Sequence, residues 1–321
     1  MKDAVVIAGG AGFIGTNLVS KMIEKQRKVF ILDDLSRGAI GHLHELLKSP
    51  EVSFIKCNLA NQIDCQSEIK NIAVLHGISE VWHLAANSDI QAGTGDPSVD
   101  LTSTFLTTFN LLNSLRQFNV GTFVFASSSA VYGNLGDRRL NEDVGPLLPI
   151  SNYGAMKLAS EAIISAACES WLKKAFIFRF PNVVGKPATH GILFDFQRKI
   201  KSNPNLLKVL GDGSQKKIYL HVEDLISAML HVVEKINTPN VQIYNIGPDD
   251  DGVNVRWIVD EFLKIYKSNA EVEYGKTNKG WLGDVPVYTY SNMKIKAEGW
   301  APTMTSQQAV TRAICENIDS L

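Results

Sequence analysis

Ala4-Val5-Val6-Ile7-Ala8-Gly9-Gly10-Ala11-Gly12-Phe13-Ile14-Gly15 sets an apolar run against a cluster of glycines. The run Ala4–Ile7 fits a buried strand, and Leu18, Val19, Met22 and Ile23 recur afterwards at helical spacing. Gly10, Gly12 and Gly15 satisfy G-x-G-x-x-G, and Gly9, Gly12 and Gly15 satisfy G-x-x-G-x-x-G. Strand, glycine turn and helix together form a site for a dinucleotide pyrophosphate. The glycines let the backbone approach the phosphates, and the helix N-terminus offers N–H groups and a partial positive charge. A second apolar run, Lys28–Leu32, ends in Asp33, where an acid can accept hydrogen bonds from ribose hydroxyls. A carboxylate there repels a 2′-phosphate, so the expected cofactor is NAD and not NADP. Arg37 is near enough in sequence to serve such a phosphate, but Asp33 and Asp34 oppose it.

The chain has 321 residues, enough for one large domain or two unequal ones. A formal net charge of −1 gives no electrostatic reason to expect a nucleic-acid or membrane partner. No apolar run approaches the length of a membrane span. Met1-Lys2-Asp3 leads directly into the first strand, so no signal peptide is expected and the expected location is the cytoplasm. Cys57, Cys65, Cys168 and Cys315 form no C-x-x-C pair and read as free, buried thiols. No metal site is expected. Asp249-Asp250-Asp251-Gly252 begins like a calcium loop but lacks its later ligands.

Further strands are expected at Val52–Cys57, Glu80–Leu84, Thr122–Ala126 and Ala175–Phe180. Helical segments fall between them, around 63–75, 106–115 and 155–171. This alternation predicts an α/β fold, a parallel sheet with helices on both faces and ligands at the carboxyl ends of the strands. Beyond Pro181 glycine and proline are frequent and the strands short. A helix at 224–235 and a strand at 241–246 are expected to rejoin the sheet. The expected division is residues 1–181 with about 222–247 as the dinucleotide-binding domain, and about 182–221 with 248–321 as a smaller mixed α/β substrate lobe.

Tyr153 and Lys157 are four residues apart at the start of a predicted helix, on one face. An ammonium beside a phenol favours the phenolate and is expected to lower the tyrosine pKa from about 10. Such a tyrosine can take a proton from an alcohol while hydride leaves the same carbon for a nicotinamide. Ser127-Ser128-Ser129 stands at the carboxyl end of the fifth strand, where a serine can orient the reacting oxygen.

With these residues in this order, the chain resembles the extended short-chain dehydrogenase/reductase family, and within it the nucleotide-sugar epimerases and dehydratases. The resemblance implies a Rossmann-type doubly wound sheet, NAD as cofactor, a nucleoside-diphosphate sugar as substrate, and a homodimer formed through the helices near 106–115 and 155–171. It implies cofactor contacts at Gly9, Gly12, Phe13, Ile14, Gly15 and Asp33, at Asn58 and Leu59 against the adenine, at Leu84, Ala85 and Ala86, and at Tyr153 and Lys157. The catalytic serine of the family falls on Ser128, and its catalytic pair on Tyr153 and Lys157. Arg179-Phe180-Pro181-Asn182 resembles the segment whose Asn binds the substrate diphosphate. Lys217 stands where many relatives have a diphosphate-binding Arg, and Lys279 is a second candidate. Asp89 and Gln91, just past the fourth strand, are candidates to face the sugar, His190 reads as a loop histidine rather than a catalytic one, and Thr104 stands where relatives often carry a cofactor-contacting Asn.

The departures are informative. Family dehydratases place an Asp-Glu pair after the catalytic Ser/Thr, whereas Ser129 and Ala130 follow here. The Ser-Ala pairing resembles the 4-epimerases more. The leading expectation is an NAD-dependent epimerase acting at C4 of a nucleoside-diphosphate hexose through a 4-keto intermediate, in polysaccharide precursor chemistry. A dehydratase or 4-ketoreductase on a related sugar nucleotide, and a non-catalytic NAD(H)-sensing protein, remain open at this point.

Overall fold

In a computed structural model of the chain, the described residues are 3–136, 138–278, 280, 285 and 288–318. The chain divides into two compact units. The first comprises Met1–Val131, Asn152–Arg179 and Val233–Tyr244, and the second Tyr132–Ser151, Phe180–Val232 and Asn245–Leu321.

The first unit is built on a seven-stranded sheet: β1 (Ala4–Ala8), β2 (Val29–Asp33), β3 (Val52–Lys56), β4 (Ile78–His83), β5 (Thr122–Ala126), β6 (Lys174–Arg179) and β7 (Asn240–Asn245). Their order across the sheet is β7-β6-β5-β4-β1-β2-β3. The pairs β1–β2, β1–β4, β2–β3, β4–β5 and β5–β6 are parallel. The order reverses at β1, the doubly wound arrangement whose switch point lies at the carboxyl ends of β1 and β4. The strands are near-continuous apolar runs because both faces are covered. Every residue of β1, β2 and β5 is buried. Helices α1 (Phe13–Glu24), α2 (Gln62–His76), α3 (Thr107–Leu115) and α4 (Asn152–Ser170) supply the cover. Their starts are local chemistry: the Asn61 side chain accepts from the N–H groups of Ile63 and Asp64 and so begins α2. Between β4 and α3 the chain makes two short helices, Ile90–Gly95 and Pro97–Asp100, and a wide π-turn, Leu101–Leu106.

The second unit has its own apolar core, formed by Leu193, Phe196, Leu207, Val259, Phe262, Val310 and their neighbours. Among the described residues this unit also carries four short strand pairs, among them Asn182–Val184 with Tyr219–His221 and Lys216–Lys217 with Val253–Asn254. Most of the helix Val222–Lys235 falls in this unit. Asp250, from the acidic cluster, accepts from the Ser306 N–H and hydroxyl and from the Gly252 N–H, so it is a capping residue. Among the described residues no group of acids, histidines and cysteines is placed to hold a metal ion, and no helix is long and apolar enough to cross a membrane. All four cysteines are free, but Cys315 is exposed and Cys168 half-buried, so only Cys57 and Cys65 fit the expected burial.

Candidate active site

The glycine turn is shaped by what it touches. Gly9 has φ +82°, and a Cβ there would lie 2.6 Å from the Ala85 nitrogen. Leu84 and Ala85 both donate to the Ala8 carbonyl, at 2.8 and 3.0 Å. The ends of β1 and β4 thus meet at Gly9, and no side chain fits between them. A Cβ on Gly15 would lie 2.2 Å from the Gly9 oxygen, so α1 can seat against the turn only because Gly15 has none. Gly12 caps α1 without a side chain, and the first turn, which contains Phe13, Ile14 and Gly15, holds no acid to repel a phosphate. Asp33 closes the far side. Its Oδ2 accepts from the Ala11 N–H at 3.0 Å and its Oδ1 from the Leu35 N–H at 2.8 Å. Each oxygen retains a second lone pair for a hydroxyl. Burial nonetheless pushes the Asp33 carboxyl above its ordinary range. Arg37 is paired with Asp89, 3.4 Å off.

Along the sheet edge, Asn58 makes a tight turn through its own side chain, accepting from the Ala60 N–H, and Leu59 is buried with its carbonyl bound by Asn110. Ala86 is half-buried and precedes Asn87, whose N–H donates to the Thr104 hydroxyl. Thr104 is buried, and its hydroxyl accepts that bond in the wall of this loop.

Ser128 and Tyr153 lie within hydrogen-bonding reach of one another, Ser128 just past β5 and Tyr153 in the first turn of α4. The Ser128 hydroxyl also accepts from the Ala130 N–H at 3.2 Å. Lys157, one turn further, is buried, and its ammonium donates to the Ala126 carbonyl at 2.6 Å. It lies 4.6 Å from the centre of the Phe125 ring and 5.8 Å from that of Tyr153. The expected lowering of the phenol pKa is not what this arrangement gives. Burial pushes Tyr153 up to about 12, against a hydrogen bond from Ser128, and the Asp100 charge pushes the same way. Burial likewise lowers Lys157 to about 7, against the opposing charges of Glu161 and Asp100. The physical reason is that the ammonium sits over the ring and points at a backbone carbonyl, while both groups have lost their water.

Reading for motifs missed the buried charges around this pair. Glu161 is held by Arg179 through two bonds, Nε to Oε1 at 3.0 Å and Nη2 to Oε2 at 2.6 Å. The Ser127 hydroxyl donates to the same Glu161 Oε1 at 2.5 Å. Glu161 was reachable from sequence, since Tyr153, Lys157 and Glu161 follow one another at helical spacing. Asp100 and His83 had no such signal.

In the second unit, Asn182 is exposed at the start of its strand and donates to the Ile218 carbonyl at 3.3 Å. Lys217 is buried, and its ammonium donates to the Val285 carbonyl. His190 is exposed and paired with the Thr189 hydroxyl. Lys279 lies outside the described residues.

Comparison with known proteins bears on this site. A family model described as the NAD dependent epimerase/dehydratase family matches residues 5–247. The chain belongs to that family. In this epimerase/dehydratase, NAD is accordingly the dinucleotide that the Gly9–Gly15 turn and Asp33 would hold, and the side-chain-free cradle at Gly9 and Gly15 fits a pyrophosphate. The chain is 28% identical over 318 residues, 97% of each protein, to a putative UDP-glucose 4-epimerase of Methanocaldococcus jannaschii. It also resembles a solved UDP-galactose 4-epimerase at 32% identity and TM-score 0.85, covering 99% of both chains. A Thermus thermophilus UDP-glucose 4-epimerase solved with NAD matches at 26% identity and TM-score 0.85, covering 99% of this chain and 100% of the other.

Proposed function

We propose that this protein is an NAD-dependent epimerase acting at C4 of a nucleoside-diphosphate hexose, with UDP-sugars as the substrate class. The observation that carries the reading is Tyr153 within reach of Ser128, with Lys157 one turn below, at the carboxyl end of β5. Ser129 and Ala130 follow Ser128, so no carboxylate stands there to eliminate water as a dehydratase requires. The UDP-hexose 4-epimerases among the relatives support the same choice.

When bound, NAD supplies a reversible hydride acceptor for the sugar carbon. In our reading Ser128 orients the 4-oxygen, and Tyr153 withdraws its proton and later returns it. Lys157 supplies positive charge beneath the phenol. The 4-keto sugar presents its other face before the proton comes back. Asn182 and Lys217 are assigned to the substrate diphosphate; Lys217 would act as a point charge once released from its carbonyl. Lys279 is assigned to the same phosphates. We also assign the chain a homodimeric state through the helices near 106–115 and 155–171, the first of which carries the exposed Phe109.

Product analysis by NMR in deuterated water tests the reading with UDP-glucose and UDP-galactose. Interconversion with C4 unlabelled and no net NADH consumption is expected. Deuterium at C5 or C6 would establish a dehydratase instead, and stoichiometric NADH use a reductase. Tyr153→Phe should slow turnover by about 10²–10⁴-fold while NAD still binds.

A further inference from the structure

Three buried side-chain atoms among the described residues lack a hydrogen-bond partner, and two of them, Asp100 Oδ2 and His83 Nδ1, belong to groups on which the Lys157 charge acts. Asp100 is closed to solvent. Its Oδ1 accepts from the Asn87 amide at 2.8 Å, and its Oδ2 is left open. It sits against the main chain at Gly93, where an added Cβ would lie 1.8 Å from Oδ2. The Gly93 carbonyl in turn accepts from the Asn152 amide at 2.9 Å, and Asn152 directly precedes Tyr153. The helices Ile90–Gly95 and Pro97–Asp100 both pack on α4. One short loop therefore seats a carboxylate beside the Tyr153–Lys157 pair and clamps the start of the helix that bears it.

We propose that Asp100 is a positioning residue for the Tyr153–Lys157 pair, its half-satisfied carboxylate keeping a proton on the pair after the site has been closed to water. The proposal rests on the epimerase reading and deepens it. An isolated buried carboxylate is costly, and it persists where a buried cation compensates it. Here the Asn87 amide compensates Asp100 first and the Lys157 charge second. The two charges act on one another in the expected senses: Asp100 raises the lysine and the lysine lowers the Asp100 carboxyl, which burial otherwise pushes up. Asp100 also opposes ionisation of Tyr153. The other groups facing the pair are Glu161 on α4, which favours the ammonium, Arg179 on β6, already bound to Glu161, and His83 on β4, which is neutral. The Asp89 charge also acts on Asp100, raising its carboxyl. An epimerase uses its tyrosine in both directions, so the proton it withdraws must be kept in the site until it is returned.

The test is Asp100→Asn in the NAD-loaded protein, read first without turnover. In protein labelled at lysine Cε, the Lys157 signal is assigned by its loss in Lys157→Met and titrated by NMR. Its midpoint should fall by about one pH unit in Asp100→Asn. The pH profile of kcat/KM for UDP-galactose should move in the same direction. Asn87→Ala, which removes the donor that favours ionised Asp100, should shift the Lys157 midpoint the same way by less, and serves if Asp100→Asn does not fold. An unmoved Lys157 midpoint in either folded variant overturns the proposal, as does a loss of rate at every pH with unmoved limbs. Absence of turnover on UDP-sugars with the NMR shift intact would instead sink the epimerase reading.

Discussion

At the scale of single residues, burial outweighs pairing in the candidate site. His83 shows it most clearly. Its Nε2–H donates to the Thr108 hydroxyl at 2.9 Å, because that hydroxyl spends its own proton on the Thr104 carbonyl. Nδ1 is left as a bare acceptor. Burial, aided by the Lys157 charge, drives the imidazole from 6.5 down to about 3. A group whose pKa falls on folding binds its proton first in the unfolded chain, so it favours unfolding as the pH drops. The stability present above pH 6.5 should be lost progressively towards pH 3. His83→Gln keeps a donor for Thr108 and removes the titration. Between neutrality and pH 5.5 it should lose less stability than the parent, by about 1.4 kcal/mol for one pH unit below 6.5. Urea unfolding at the two pH values measures this, and an equal loss in both proteins would mean that His83 already ionises in the fold.

At the scale of elements, what was legible in the sequence was periodic or punctuated. All seven strands of the sheet and the helices between them announce themselves by apolar runs and glycine or asparagine boundaries, and Gly9, Gly12 and Gly15 mark the turn by spacing alone. The loop between β4 and α3 does not. Its two short helices and π-turn have no apolar period, so Asp100 and its clamp through Gly93 and Asn152 were invisible until the chain was folded. The Tyr153 titration was misread for a related reason: helical spacing places Lys157 on the right face but says nothing of how far the ammonium is drawn to the Ala126 carbonyl. The Glu161–Arg179 pair, which joins α4 to β6 and holds Ser127, makes a test at this scale. Arg179→Met leaves a buried carboxylate unpaired and should cost about 3–5 kcal/mol. Adding Glu161→Leu should recover most of that stability, because a buried ion pair replaced whole by apolar groups is often neutral. Thermal or urea unfolding of the single and double variants decides it: a double variant as unstable as the single would show that the Ser127 contact, and not the charge balance, carries the energy.

For the whole molecule, the remaining question is what covers the outer face of the segment running from Leu101 into α3. Leu101 and Phe109 are 44% and 46% exposed, and the Phe109 ring stacks on the half-buried Phe105 at 6.4 Å. The sequence pattern of this segment was ambiguous, since apolar residues on a helix that covers a sheet look the same as those on a helix that also meets a partner. The fold separates the two sets: Leu111, Leu112 and Leu115 face the core with β4 and β5, while Leu101 and Phe109 do not. Apolar side chains grouped on a surface mark an association site more often than a free one. A self-complementary face on a two-fold axis would meet its own copy, each Phe109 counted twice, and needs about 1,200–2,000 Å² of buried surface in total to hold. Phe109→Glu then sets two carboxylates against one another in an apolar interface. The parent should sediment as a dimer at micromolar concentration and Phe109→Glu as a monomer, with the far-ultraviolet spectrum and NAD binding retained because the residue lies outside the core and the glycine turn. A parent that sediments as a monomer, or a variant that remains dimeric, would move the interface elsewhere on the surface and leave the exposure of Phe109 without an explanation.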